Sequence, residues 1–126
     1  MGYVHAEIKL ANPRLPELKP IIVSAMVDTG AMTLCIPEHV ALQLQLRMDR
    51  LREVTTADGR KQMVPYVGPV EVLFENRNCY VGALVLGDEV LLGAVPMEDM
   101  DLVVSPAGRR VVVNPESPNF PHALVK

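Results

Sequence analysis

The sequence is poor in several residue types, and each shortage limits what the protein can be. Its 126 residues include no Trp, three Tyr and two Phe, so aliphatic side chains and Met must fill the core. Its two cysteines, Cys35 and Cys79, do not make a disulfide framework. Because the N-terminus shows no export signal, we expect both cysteines to be reduced thiols and the protein to be cytoplasmic.

The chain also lacks the patterns of membrane and nucleic-acid proteins. No apolar run approaches the roughly 20 residues that cross a bilayer, so no membrane partner is expected. The formal net charge is −3, from 12 basic and 15 acidic residues, which argues against nucleic acid as a partner. The densest basic segment, Arg47 to Arg52, is diluted by Asp49 and Glu53, and we interpret it as a solvated strand surface. The three histidines have no metal-ligand spacing, so no metal is expected.

What the chain has instead is short apolar segments separated by turns. Eleven Pro and eight Gly are spread along it, which favours strands over long helices. Apolar and polar residues alternate from Tyr3 to Ala11, which predicts a half-buried strand. The nearly continuous apolar run from Pro20 to Val27 predicts a strand buried on both faces. Pro37 to Leu44 predicts a short helix, and Pro96 to Met100 allows another helical turn or two.

Further along, turn residues predict hairpins. Asp58-Gly59 favours a tight hairpin turn with positive φ at the glycine, and the turn Ser105 to Gly108 predicts a terminal hairpin. The sequence therefore predicts an all-β domain over residues 1–113. A Pro-rich, irregular tail follows over residues 114–126, in which we expect Phe120 and Leu124 to act as anchors.

The strongest functional signal is the tripeptide Asp28-Thr29-Gly30, directly after the apolar run and before Ala31. Asp is depleted from strands and costly to bury, so a carboxylate delivered by a strand to a glycine turn needs partners or a chemical role. Gly30 lets the backbone turn tightly, and its N–H can donate to an Asp28 oxygen. Alone, the tripeptide also fits an Asp that only caps its own turn.

Taken with two later features, this segment resembles the active-site loop of aspartic proteases. Leu91-Leu92-Gly93 resembles their second signature of two apolar residues and Gly, and the Asp58-Gly59 hairpin lies where the family has its flap. The order and spacing are similar to those of single-domain, retroviral-like (retropepsin-type) proteases, particularly small bacterial members. The resemblance implies a closed barrel of short strands, with a short helix after the Asp-Thr-Gly loop and a second one after Leu-Leu-Gly.

The resemblance also implies a mechanism and a set of roles. Asp28 would be the catalytic residue, Thr29 would reach across a dimer axis, and Gly30 would contact substrate backbone. Leu91, Leu92 and Gly93 would pack behind the loop. Because the chain carries one such loop, the second carboxylate would come from Asp28 of another copy, which makes the protein a homodimeric aspartic endopeptidase acting on peptides without metal or cofactor.

Two further expectations concern specificity and alternatives. Met32, Val90 and Leu92 are expected to line apolar substrate pockets. The tip of the hairpin, Thr56 to Lys61, is more charged than the Gly-rich flap tip of retroviral members, and Ala94 replaces the polar residue that often follows the second motif. These departures leave open a non-catalytic, dimeric peptide-binding or assembly module on the same fold.

Overall fold

The computed structural model describes residues 3–125, which form nine strands and two short helices. The elements in chain order are β1 His5–Ala11, β2 Ile21–Val27, β3 Leu34–Ile36, α1 Glu38–Gln43, β4 Leu51–Thr55, β5 Lys61–Phe74, β6 Arg77–Val85, β7 Val90–Leu92, α2 Ala94–Asp99, β8 Leu102–Ser105 and β9 Arg110–Val113. Both helices follow the predicted motifs, one after the Asp-Thr-Gly loop and one after Leu-Leu-Gly.

Six of the strands close into a barrel. They pair in the order β1-β2-β7-β3-β6-β5, and β5 returns to pair antiparallel with β1. Two contacts are parallel, β2 with β7 and β3 with β6, and both lie close to the Asp28 turn. The prediction of an all-β closed barrel is confirmed.

The long strand β5 joins the barrel to a projecting hairpin. Its first half pairs with β4, from Leu51 opposite Pro65 to Thr55 opposite Lys61. Its second half pairs with β6 and β1 inside the barrel. The register with β6 shifts at Gly68-Pro69, because that dipeptide forms a bulge between the two halves. The β4–β5 hairpin therefore extends from the barrel next to the bulge.

Strand alternation explains most of the core. On β1, Ala6, Ile8 and Leu10 are buried as the period-two pattern predicts, and α1 adds Val40 and Ala41. The prediction that the Pro20–Val27 run is buried on both faces is wrong. β2 has one exposed face, on which 63% of Ile22 is accessible. Along a barrel strand, every second side chain points inward and is buried, and the others lie on the outer surface.

β6 begins at Arg77, whose side chain is buried. The expectation for the C-terminal tail is wrong. Phe120 and Leu124 do not anchor the tail, since 80% and 93% of their surfaces are exposed. Polar contacts hold that segment instead. No helix in residues 3–125 is both long enough and apolar enough to cross a membrane.

Candidate active site

The Asp28 loop begins where two parallel strands end side by side. Val27 on β2 lies opposite Leu92 on β7. One residue later, the Asp28 N–H donates to the Leu92 carbonyl at 3.0 Å, while the Val27 N–H donates to the Val4 carbonyl at 2.8 Å. The chain can therefore leave the barrel only after Asp28, which fixes the position of the carboxylate at the barrel end.

The loop itself is held by bonds from its own backbone. The Gly30 N–H donates to Asp28 Oδ1 at 3.0 Å, and the Ala31 N–H donates to the Asp28 carbonyl at 3.0 Å. A Cβ added to Gly30 would lie 3.1 Å from that same Oδ1, so any side chain there would crowd the carboxylate. Asp28 is half-buried, and Thr29 and Gly30 are exposed beside it. Among the described residues, the second oxygen, Oδ2, accepts no hydrogen bond.

The Leu91-Leu92-Gly93 segment lies directly behind this loop. Two N–H groups at the start of α2 donate to loop carbonyls, from Ala94 to Ala31 at 2.9 Å and from Val95 to Met32 at 2.8 Å. A Cβ on Gly93 would lie only 2.2 Å from the Thr33 carbonyl oxygen and 2.6 Å from that of Ala31. Only glycine permits this approach of backbone to backbone, so the two motifs are tied together by sterics as well as by hydrogen bonds.

Farther along the loop, Thr33 ties it to the neighbouring strand β6. Its hydroxyl donates to the Gly82 carbonyl on β6 at 2.9 Å. Two residues on, burial raises the pKa of the Cys35 thiol, and the nearby Asp28 charge raises it further. Cys35 therefore stays protonated at neutral pH and is not an activated nucleophile.

The surface beside the loop is apolar. Met32 is 76% exposed and Val95 is 42% exposed, and the bond between their backbones makes them neighbours. The expectation that Val90 and Leu92 line substrate pockets is wrong, because both are buried in the barrel core. They point inward on β7, whereas Leu91 between them is half-buried and points the other way.

The tip of the β4–β5 hairpin is organised around Asp58. Thr56 Oγ1 donates to Asp58 Oδ1, and Arg60 donates to the same carboxylate from its backbone at 3.1 Å and from Nε at 2.9 Å. These bonds lower the pKa of Asp58, and the bond from Thr56 is the largest cause. Gly59 has a φ of +84°, as the predicted turn requires. Within the tip, the Asp58 carboxylate and the Arg60 guanidinium are therefore paired with each other.

A second carboxylate with several partners is Asp101, which holds the C-terminal tail. Its carboxylate accepts bonds from Asn114 Nδ2 at 3.0 Å, from the Ser117 hydroxyl and from the His122 N–H at 2.9 Å. No local signal marks Asp101 as different, because its partners lie 13 to 21 residues farther along the chain.

Comparison with known protein families identifies the region that carries both motifs. The family model described as "gag-polyprotein putative aspartyl protease" matches residues 19–99, from just before β2 to the end of α2. The chain belongs to this family of retropepsin-type aspartic proteases. The matched region contains both the Asp28 loop and Leu91-Leu92-Gly93, while the β8–β9 hairpin and the tail lie outside it.

Among solved structures, this retropepsin-type chain is similar to the solution structure of the protease of simian foamy virus (mac). The identity is 21%, the TM-score is 0.49, and the match covers 74% of this chain and 90% of the viral one. No curated protein matches the sequence. Family membership supports a protease function for the chain.

Proposed function

We propose that the protein is a homodimeric aspartic endopeptidase in which Asp28 of each subunit contributes one half of a catalytic dyad. The observation that carries this proposal is the setting of Asp28. Its Oδ1 is held by the Gly30 N–H, while its Oδ2 accepts no bond within residues 3–125. The loop is fixed from behind by the Gly93 contact. The carboxylate is therefore held in a fixed position, and its Oδ2 can still hydrogen-bond to a reacting group.

The dyad supplies what one carboxylate lacks. An isolated Asp titrates near 4 and is a poor acid at neutral pH. Two carboxylates in contact cannot both ionise, so one keeps its proton and the other acts as a base, as is established for aspartic proteases. The base takes a proton from a water molecule as its oxygen attacks the peptide carbonyl, and the protonated partner donates to the carbonyl oxygen. The pair titrates as a unit.

The exposed apolar surface beside the loop supports the dimer. In a twofold dimer, Met32 and Val95 of one subunit meet the same surface of the other, as an isologous interface requires. Thr29, exposed next to Asp28, would reach across the axis between the two loops. A substrate would lie extended between the hairpin tips at Asp58-Gly59 and the two Asp28 carboxylates, with main-chain pairing as in strand addition. The two free, buried cysteines fit the cytoplasmic location that we also propose.

The central test is Asp28→Asn, which keeps the shape of the loop but cannot form the dyad. We expect cleavage of a peptide library to fall roughly 10³-fold or more, while sedimentation shows the same dimer. The parent enzyme should give a bell-shaped dependence of kcat/KM on pH, because one carboxylate of the pair must be protonated and the other ionised. Retained cleavage in Asp28→Asn would overturn the proposal, and so would a strictly monomeric, active parent.

The charged hairpin tip favours one second candidate, a dimeric module that binds peptides or pairs partner domains without cutting. Asp58 and Arg60 bond to each other within the tip, so the tip is held in one turn conformation. A parent that binds library peptides and cleaves none of them at any pH would establish this alternative. A parent that neither cleaves nor binds peptides would leave an assembly role for the dimer.

A further inference from the structure

A groove of about 600 Å³ lies on the subunit outside the Asp28 loop. It is bordered by the loop after β1, by the segment that links α1 to β4, and by the bulge of β5 with the facing part of β6. Its floor is apolar, since Leu46, Val67 and Val81 line it and are buried. A cavity of this size and composition suits a short segment of peptide better than an ion alone.

The border of the groove is built before any ligand arrives. Asn12 is buried, and its Nδ2 donates to the Leu44 carbonyl at the end of α1 at 2.9 Å. Its Oδ1 accepts the Arg14 N–H at 3.0 Å, and its carbonyl accepts the Leu15 N–H at 3.0 Å. One buried amide therefore joins the two sides of the groove and fixes the backbone that carries Arg14. A preformed site of this kind loses less entropy on binding.

The charge on this border is strongly positive. Arg14, Arg47 and Arg50 line the groove, and Asp49 is the one acidic residue among its lining residues. Asp49 already pairs with Arg47 at 3.4 Å. Arg14 and Arg50 form no ion pair with any residue in the described part of the chain. A protein of net charge −3 thus carries a locally cationic groove.

Strand alternation separates Glu53 from the arginines. Glu53 dilutes the basic segment only in the sequence, because along β4 it points to the opposite face of the hairpin from Arg50 and Arg52. Arg52 stays on the groove side, where its guanidinium lies 3.8 Å from the centre of the Tyr66 ring. Tyr66 itself lines the groove. The positive strip therefore continues from the groove towards the base of the hairpin.

We infer that this groove binds an acidic peptide segment. Guanidinium groups bind carboxylates through paired, charge-assisted hydrogen bonds, and the apolar floor accepts aliphatic side chains between the acidic ones. A nucleic acid fits less well, because its charge would extend past the groove onto the rest of an acidic protein. Binding does not depend on the proposed hydrolysis. If both hold, a substrate with an acidic segment would be held by a contact remote from the scissile bond.

The test is a direct binding measurement on the full chain carrying Asp28→Asn, so that cleavage cannot interfere. The probe is a short fluorescein-labelled peptide of alternating Glu and Ser with a central Leu, followed by fluorescence anisotropy at low salt. Replacing Arg14 and Arg50 with Gln should weaken binding about tenfold, because two charge-assisted contacts are lost. Raising the salt concentration should also weaken peptide binding to the chain that carries Asp28→Asn alone.

Two matched controls keep the result specific. Replacing Arg109 and Arg110 with Gln removes the same charge at the β8–β9 turn and should change binding less than about twofold. The second control is a peptide with Gln in place of Glu, measured on the Asp28→Asn chain with all its arginines intact. This comparison remains informative even if an arginine variant misfolds.

Equal binding of the Glu and Gln peptides would overturn the inference. So would equal losses in the two double variants, no detectable binding at low salt, or tighter binding of a single-stranded oligonucleotide than of the Glu peptide. Absence of cleavage by the parent would refute the proposed function and leave this result intact.

Discussion

Two aspartates, Asp28 and Asp101, follow regular elements and are both half-buried, yet their surroundings differ. Among residues 3–125, the Asp28 carboxylate accepts one hydrogen bond, from the Gly30 N–H, and its Oδ2 accepts none. The Asp101 carboxylate accepts three, from Asn114, Ser117 and His122. A carboxylate whose lone pairs are shared among several donors is committed to structure, whereas one with a spare oxygen can still bind a proton, a water molecule or a substrate.

The two regions also differ in what holds them. The Asp28 loop is fixed by backbone groups that approach too closely for any side chain, at Gly93. The tail is fixed by polar side chains, with Asn76 donating to the Pro118 carbonyl at 3.0 Å and Arg77 donating to the Ser117 carbonyl. Backbone contacts of the first kind are lost only with the local fold. Side-chain contacts of the second kind can be lost while the barrel stays folded, so the tail should open first.

The largest effect should come from Gly93→Ala. The added Cβ would lie 2.2 Å from the Thr33 carbonyl oxygen, and neither backbone can move without disturbing β7 or the Asp28 loop. We expect the free energy of unfolding to fall by about 3 kcal/mol, with loss of any cleavage activity. Gly108→Ala is the matched control, because a Cβ there meets only the flexible Arg110 side chain. Equal urea midpoints for the two variants would contradict the steric argument.

The sequence indicates the position of this loop, but it does not show that Gly93 is needed for close backbone contact behind it. The positions of Asp28, Gly59 and Gly93 can be predicted because each follows a local pattern, and the alternation on β1 predicts its buried face. The exposure of Ile22 cannot be predicted in this way, since a continuous apolar run does not tell which face another strand will cover. The roles of Arg77 and Asp101 depend on tail residues that lie 13 to 40 residues farther along the chain. Such long-range polar contacts leave no periodic signal.

The second prediction concerns the other carboxylate. Asp101→Asn should release the tail while the barrel stays folded, because the amide cannot accept the three bonds that the carboxylate receives. Hydrogen exchange should become faster over residues 114–122 and stay unchanged over β1 and β6. Asp99→Asn, two residues earlier and exposed, is the control and should leave the tail protected. Any peptide cleavage should stay within about twofold of the parent, because Asp101 lies outside the Asp28 loop. Loss of the whole barrel in Asp101→Asn would refute this division of roles.

A third, smaller effect should appear with pH. Hydrogen bonds from Ser117, His122 and Asn114, with that from Ser117 the largest cause, lower the pKa of Asp101 to about 2. An unfolded Asp titrates near 3.9. A depressed folded pKa means that the carboxylate stabilises the docked tail above about pH 4, and that this stabilisation is lost as pH falls through about 2. The His122 amide signal in NMR should report the release, and Asp101→Asn should lack this transition. Release of the parent's tail near pH 6 would show that another group controls it.

The smallest effect should come from Thr33→Val, which tests side-chain hydrogen bonding in the Asp28 loop separately from backbone contact. Thr33→Val keeps the shape of the side chain but removes the hydroxyl that donates to the Gly82 carbonyl. Because that carbonyl loses its partner in a partly buried place, we expect a loss of about 1 kcal/mol in the free energy of unfolding. Thr55→Val, on the exposed face of β4, is the control and should change stability by less than about 0.5 kcal/mol. A Thr33→Val loss as large as that of Gly93→Ala would mean that side-chain hydrogen bonds, rather than backbone contact, hold the Asp28 loop.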